Sequence, residues 1–280
     1  MKKILLAVDA TRPNKNALEF ACYLGRLTKS KITGVFLENL EPKERPVLKQ
    51  LHRMTSLDWS EEENSVVYNN SKEQLIEKNI ELFKESCIAR EVNYHVHLDR
   101  GIPLAELVEE TRFADILVTD AAISFHNQFT GIPSLFVREI LKTAECPVIV
   151  APERFEAINE VVFTYNGNPS SVFAIKQFTY LFPQFCNTKA TIIHCCDSGE
   201  WHGTDKYKFK EWLKDHYTNL QFEVLQGDAG TKLFDSLFAK RNMFLVMGAY
   251  GRNTLSEFFI KNPADFLIKT VTQPIFITHL

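Results

Sequence analysis

The feature that most limits what this chain can fold into is that it is written twice. Lys3-Ile-Leu-Leu-Ala-Val-Asp9-Ala10 aligns with Glu160-Val-Val-Phe-Thr-Tyr-Asn166-Gly167, and Ala17-Leu18 falls on Ala174-Ile175 at the same offset. Further on, Gly101 ahead of Leu107 matches Gly227 ahead of Leu233, and Asp115-Ile-Leu-Val-Thr-Asp120 matches Met243-Phe-Leu-Val-Met-Gly248. Leu141-Lys-Thr143 with Pro147 then matches Ile268-Lys-Thr270 with Pro274. A repeat of this length makes each copy a domain of ordinary size with its own core, which fits a chain of 280 residues. The boundary is placed in Pro152 to Asn159, giving domains 1–152 and 153–280. The first copy is longer mainly because of an insertion at 38–71, polar and irregular, with Pro42, Pro46 and the run Glu61-Glu62-Glu63.

Within each copy, short apolar runs alternate with helical spacing. Residues 3–8 read as a buried strand, and Asn14 to Leu27 carries apolar positions at Ala17, Leu18, Ala21, Leu24 and Leu27. Strands at Ile32 to Leu37, Asn93 to Leu98, Asp115 to Thr119 and Pro147 to Val150 follow, separated by helices at 72–90, 101–111 and 134–144. Five such steps imply an α/β fold, a five-stranded parallel sheet in each copy with helices on both faces.

Composition excludes some classes of function. With 45% hydrophobic and 24% charged residues and a formal charge of −3, the chain is globular and has no general attraction to nucleic acid or to an anionic membrane. Only five apolar residues separate Lys3 from Asp9, too few for a signal-peptide core, and no apolar run approaches a membrane span, so the expected location is cytoplasmic. The six cysteines show no C-x-x-C spacing and are expected to be buried thiols. His194-Cys195-Cys196-Asp197 is the one suggestive metal cluster, but strand alternation turns Cys195 away from its neighbours. His95 and His97 share a strand face without a third ligand nearby. No metal site is expected, beyond magnesium accompanying a nucleotide.

The stretch most suggestive of function begins with the strand Phe244-Leu-Val-Met and breaks at Gly248 and Gly251, with a helix expected from about Pro263. Glycine at both places lets the backbone approach a ligand, and free N–H groups at a helix start receive anions. A lone G-x-x-G is also compatible with a tight strand exit that holds nothing.

Together with Lys-Lys-Ile-Leu-Leu-Ala-Val-Asp9, Phe-Thr-Tyr-Asn166-Gly167-Asn-Pro-Ser-Ser, Gly248-Ala-Tyr-Gly251-Arg252 and the closing strands Cys-Pro-Val-Ile-Val and Gln-Pro-Ile-Phe-Ile, this loop resembles the universal stress proteins, in tandem form. The resemblance runs nearly the whole length of the chain. It implies two Rossmann-like or flavodoxin-like domains of the adenine nucleotide alpha hydrolase-like type, many of whose members bind ATP at the strand ends. Binders carry Gly, two residues, Gly, nine residues, Gly, then Ser or Thr. The second copy keeps Gly248 and Gly251, but Arg252 to Ile260 are followed by Lys261-Asn262, and the first-strand acid is Asn166. The first copy keeps Asp9 but places Asp120-Ala-Ala-Ile123 at the glycine loop, a carboxylate where phosphates would sit.

Two functions are therefore carried forward. In one, ATP or another adenine nucleotide is held in the second domain only, around Asn166, Gly167, Gly248, Gly251, Arg252 and Asn262. In the other, a stress-response protein without nucleotide acts as a regulator or scaffold on an unidentified protein partner. An ATP-consuming ligase is a third, more remote option, because Asp9 and Asp120 have no His or Cys partner legible in the sequence and no catalytic residue is assigned. The fifth strands, Cys146 to Ala151 and Gln273 to Thr278, end doubly wound sheets, are apolar and lack edge lysines. They are expected to pair antiparallel with each other, an internal version of the dimer contact that the family makes between chains.

Overall fold

The computed structural model describes residues 1–39, 60–125, 131–196, 199–201, 204–227, 229–238, 240–248, 263–270 and 272–278. The chain begins with β1 (Lys3–Asp9), whose five central residues are all buried, as a parallel strand covered on both faces requires. It leads into α1 (Lys15–Thr28), capped by Asn14, whose Oδ1 accepts from the N–H groups of Asn16 and Ala17 at 2.9 and 3.1 Å. Next come β2 (Lys31–Asn39), α2 (Ser60–Ala89), β3 (Tyr94–Gly101), α3 (Pro103–Thr111), β4 (Ile116–Thr119), α4 (Leu135–Thr143) and β5 (Val148–Val150). The second half runs β6 (Glu160–Tyr165), α5 (Pro169–Leu181), β7 (Lys189–Cys196), α6 (Thr204–Lys214), β8 (Leu220–Gln226), α7 (Ala229–Phe238), β9 (Met243–Gly248), α8 (Pro263–Thr270) and β10 (Ile275–Thr278).

The ten strands among the described residues form one sheet, in the order β3-β2-β1-β4-β5-β10-β9-β6-β7-β8. Counted within each half, the order is third, second, first, fourth, fifth, and the second half runs it in reverse. Every pairing is parallel except at the centre, where Val148, Ile149 and Val150 of β5 lie antiparallel to Ile277, Phe276 and Ile275 of β10. Helices α1, α2, α5 and α6 cover one face, around Phe20, Phe83, Phe178 and Leu213. The other face is covered by α3, α4, α7 and α8, around Leu107, Val137, Leu237 and Leu267. This split follows from right-handed crossovers on a sheet whose strand order reverses direction at β1 and β6.

The insertion expected at 38–71 is narrower than the sequence suggests. Strand β2 continues to Asn39, and Glu38 on it is 7% exposed, with Lys72 Nζ at 2.9 Å and Arg100 Nε at 3.0 Å. Helix α2 starts at Ser60, twelve residues ahead of the expected Lys72, so the Glu61 to Glu63 run opens a helix. Acidic residues in a first turn suit the positive end of the helix dipole, which is why an acidic run and a helix start are not in conflict. The stretch around Val47 to Met54, which the sequence suggests is partly helical, lies outside the described residues. Buried Asn79 donates to the Ala10 carbonyl at 2.8 Å and ties α2 to the end of β1.

At the start of β6, Glu160 is held by Thr191 Oγ1 at 2.5 Å and by the ammoniums of Lys189 and Lys240 at 3.1 Å each. Burial pushes its carboxyl up, but the hydrogen bonds from Thr191, Lys240 and Lys189 outweigh that and hold it below the ordinary carboxylate value. A carboxyl depressed on folding adds stability that is present above its ordinary value and is lost as pH falls through the folded one. Glu160→Gln is therefore expected to lower the melting temperature at pH 7 and to differ less from the wild type as pH falls below about 4.5. A gap that stays constant across that range would show that the charge on Glu160 is not what stabilises the strand.

Candidate functional site

The sheet order sets where a ligand could sit. Strands β6 and β9 are neighbours, with Phe163 opposite Val246, yet the helices that follow them pack on opposite faces. Their exits diverge and leave a crevice at the carboxyl ends, the place where open α/β sheets receive ligands. Strands β1 and β4 make the equivalent crevice in the first half, with Leu6 opposite Val118.

In the second half the crevice floor is the turn from β6 into α5. Asn166 Oδ1 accepts from the Asn168 N–H at 3.1 Å, closing an Asx turn that fixes the amide at the strand end. Gly167 follows at φ 82°, in the left-handed region, and no atom lies within 4 Å of where its Cβ would be. The loop is open on that side. Asn168 stands at the start of α5 but its side chain caps nothing, and Pro169 in the first turn has no N–H to offer. The N–H groups of Ser171 and Val172 donate to the Asn168 carbonyl at 3.0 and 3.4 Å, which leaves the Ser170 N–H as the donor of this turn that no side chain caps.

Gly248 ends β9 beside this turn, and its role differs from the one the sequence suggests. A Cβ there would fall on the Ser170 carbonyl and within 2.8 Å of the Ser171 nitrogen. The close backbone approach that glycine permits is therefore to the first turn of α5, which β9 needs in order to lie beside β6. The structure brings Asn166, Gly167 and Gly248 together; Gly251, Arg252 and Asn262 lie outside the described residues.

The first-half crevice has the same topology and a different content. Asp9 Oδ1 accepts from Thr11 N at 2.8 Å, Thr11 Oγ1 at 2.7 Å and Arg12 N at 3.2 Å. Asp120 Oδ1 accepts from Ala122 N at 3.0 Å. The loop behind it is closed by Ser134, whose Oγ donates to the Ile123 carbonyl at 2.5 Å and whose N–H donates to the Ala121 carbonyl at 3.0 Å. Ile123 is buried, 7% exposed, where a glycine loop would leave room. Both carboxylates are used as turn acceptors.

Among the described residues no group of three or more His, Cys, Asp or Glu is placed to hold a metal ion. His194 Nδ1 meets the Tyr165 carbonyl at 2.9 Å, and Cys196 Sγ donates to the Glu200 carbonyl at 3.4 Å. His97 Nδ1 lies 2.7 Å from Glu110 Oε1, so the pair His95 and His97 is not free on a strand face. No helix among the described residues is long and apolar enough to cross a membrane.

One feature of this end of the sheet has no sequence motif. Tyr165, 5% exposed, stacks on Phe209 with ring centres 4.7 Å apart and an interplanar angle of 18°, and Trp201 lies 4.9 Å from it. These residues come from β6, α6 and the segment before α6, and only the fold assembles them.

Gly248→Ala and Gly167→Ala separate packing from backbone conformation. Gly248→Ala drives a methyl into backbone and is expected to cost about 1–3 kcal/mol in urea denaturation. Gly167→Ala meets only open space and carries the strain of a positive φ, about 1 kcal/mol. Equal small losses would contradict the close approach of β9 to α5.

No protein-family model matches the sequence, and no curated protein matches it significantly. Solved structures do match the fold. A universal stress protein from Archaeoglobus fulgidus superposes with a TM-score of 0.70 at 14% identity, covering 99% of this chain and 98% of that one. A protein of unknown function from Pseudomonas aeruginosa superposes at 0.58 with 13% identity, covering 100% and 92%. The chain has the fold of that universal stress protein, a Rossmann-like α/β fold, with 99% of it covered.

Proposed function

We propose that the chain is a two-domain member of the universal stress protein family, divided within 152–159, in which the second domain holds an adenine nucleotide and the first does not. The observation that carries this is the contrast between the two crevices. At β6 the loop is open at Gly167 and runs into a helix start that no side chain caps, whereas at β1 and β4 two carboxylates and buried Ile123 fill the equivalent space. An anion gains from uncapped N–H groups and from the positive end of a helix dipole. It is repelled by a carboxylate.

In this reading the Asn166 amide hydrogen-bonds the base or ribose, where other members use an acid, and an amide can donate as well as accept. Gly167 gives the ligand access to the helix start. Gly251, Arg252 and Asn262 belong to the β9–α8 connection, where Arg252 supplies charge and Asn262 a donor for the phosphates of ATP, with magnesium bound through the phosphates. No catalytic role is assigned. The location is read as cytoplasmic. The pairing of β5 with β10 is read as an internal counterpart of a dimer contact, leaving outer surfaces for a protein partner.

A second reading has its own support. The packing of Gly248 on Ser170 explains that glycine without any ligand, and Lys261 stands where binders have a third glycine. On that reading the protein is a regulator or scaffold that has kept the fold and lost the nucleotide.

Calorimetric titration with ATP and magnesium distinguishes them. The nucleotide reading expects saturable binding of one equivalent, weakened roughly tenfold or more, about 1.4 kcal/mol, in Arg252→Ala/Asn262→Ala. Asp120→Ala is expected to leave that affinity unchanged. No heat up to millimolar ATP from protein with a native circular dichroism spectrum would favour the scaffold.

A further inference from the structure

Between α5 and α6, on the outer face of the sheet, lies a groove of about 550 Å³. Its walls are mostly carbon. Phe173 on α5 and Phe209 and Trp212 on α6 form its sides, Tyr165 reaches it from β6, and Lys176 and Lys208 stand at its mouth. The helices supply these residues in the same pattern, Val172, Phe173 and Lys176 against Lys208, Phe209 and Trp212, so each turns an apolar pair and a lysine towards the other. Phe209 is fixed by its stack on Tyr165, which gives the groove a rigid floor. The volume is within the usual range for small-molecule sites, roughly 300–1,000 Å³.

We propose that this groove binds an amphipathic anion, a medium-length acyl carboxylate, with the chain along the aromatic walls and the carboxylate between Lys176 and Lys208. Three features favour that occupant. The walls offer few hydrogen-bonding groups, so a nucleobase would leave its own donors and acceptors unpaired, while a hydrocarbon loses nothing there. Both ammoniums are on exposed residues and neither is paired with a carboxylate among the described residues. The chain as a whole carries −3, so two unpaired cations at the mouth of an apolar groove are a local departure from its general charge. Their pull acts within about 10 Å at ordinary ionic strength, which selects for an anion already seated by its apolar part. The site goes beyond the nucleotide reading: it shares Gly167 and Pro169 at one end but runs between two helices, and no described residue of β9 lines it.

The test is calorimetric titration of the full chain with octanoate, decanoate and decanol below their aggregation concentrations. Decanoate is expected to bind saturably at one equivalent, and roughly tenfold more tightly than octanoate, from the two added methylenes. Decanol, with the same chain and no charge, is expected to bind several-fold more weakly. Lys176→Gln/Lys208→Gln is expected to bring decanoate down to the level of decanol, leaving decanol binding and the melting temperature unchanged. Saturating ATP is expected to leave decanoate binding as it was. No saturable decanoate binding, equal binding of decanol, or an unaffected double variant would overturn the proposal. So would displacement by ATP, which would make the groove part of the nucleotide site. Failure here with ATP binding intact would leave the nucleotide reading standing.

Discussion

The antiparallel contact of β5 with β10 is the interaction on which the remaining architecture depends. Among the described residues three pairs make it, and each strand would otherwise end its sheet with unpaired N–H and C=O groups on a buried strand. Pairing turns two edges into the centre of one sheet and leaves β3 and β8 as the outer strands. Those two are half-exposed along much of their length and carry charge, Asp99 and Arg100 in one and Glu223 in the other, which suits strands that face water. The core is continuous across the junction. Phe276 of β10 packs 5.4 Å from Phe178, Phe178 lies 5.0 Å from Phe244, and Phe244 meets Phe20 of the first half at 5.9 Å. On the other face Arg138 of α4 reaches Asp265 of α8 at 3.0 Å.

The sheet fixes both crevices in equivalent places, and among the described residues the halves differ in the side chains that line them. The first half has Asp9 and Asp120 turned back onto their own loops, with Ser134 closing the gap. The second half has Asn166 and Gly167 at the equivalent turn and an uncapped helix behind them. Both crevices close a side-chain turn at the strand end, and they differ in that the first holds two carboxylates and buried Ile123 where the second holds an amide and a glycine. In a duplicated fold each half supplies the other's partner strand whatever its crevice holds.

Much of the fold was legible in the sequence, because buried parallel strands are short apolar runs and their helices show apolar spacing. Ile4 to Val8 and Val161 to Phe163 are fully buried, and Asn14 and Ser134 start α1 and α4 as their residue types suggest. The misreadings have physical causes. The first turns of α2 read as insertion because Glu61 to Glu63 is polar, yet glutamate is a good helix former and suits the positive end of a helix. Glu38 looked like the beginning of a polar loop, but Lys72 and Arg100, 34 and 62 residues away, neutralise it in place. Gly248 was legible as a close approach but not as an approach to Ser170, since sequence does not say what stands opposite a glycine. The groove between α5 and α6 was not legible at all: Tyr165, Phe173 and Phe209 form no motif, and only the placement of two helices makes them walls.

Amide hydrogen exchange resolved to single residues tests the central claim, that the two halves form one sheet through β5 and β10. If they do, the amides of Val148, Val150, Ile275 and Ile277 that face the partner strand exchange with the most protected class of the protein, and the two strands share one opening free energy. Exchange of these amides as fast as those on the outer edges of β3 and β8, or protection of one strand without the other, would contradict it.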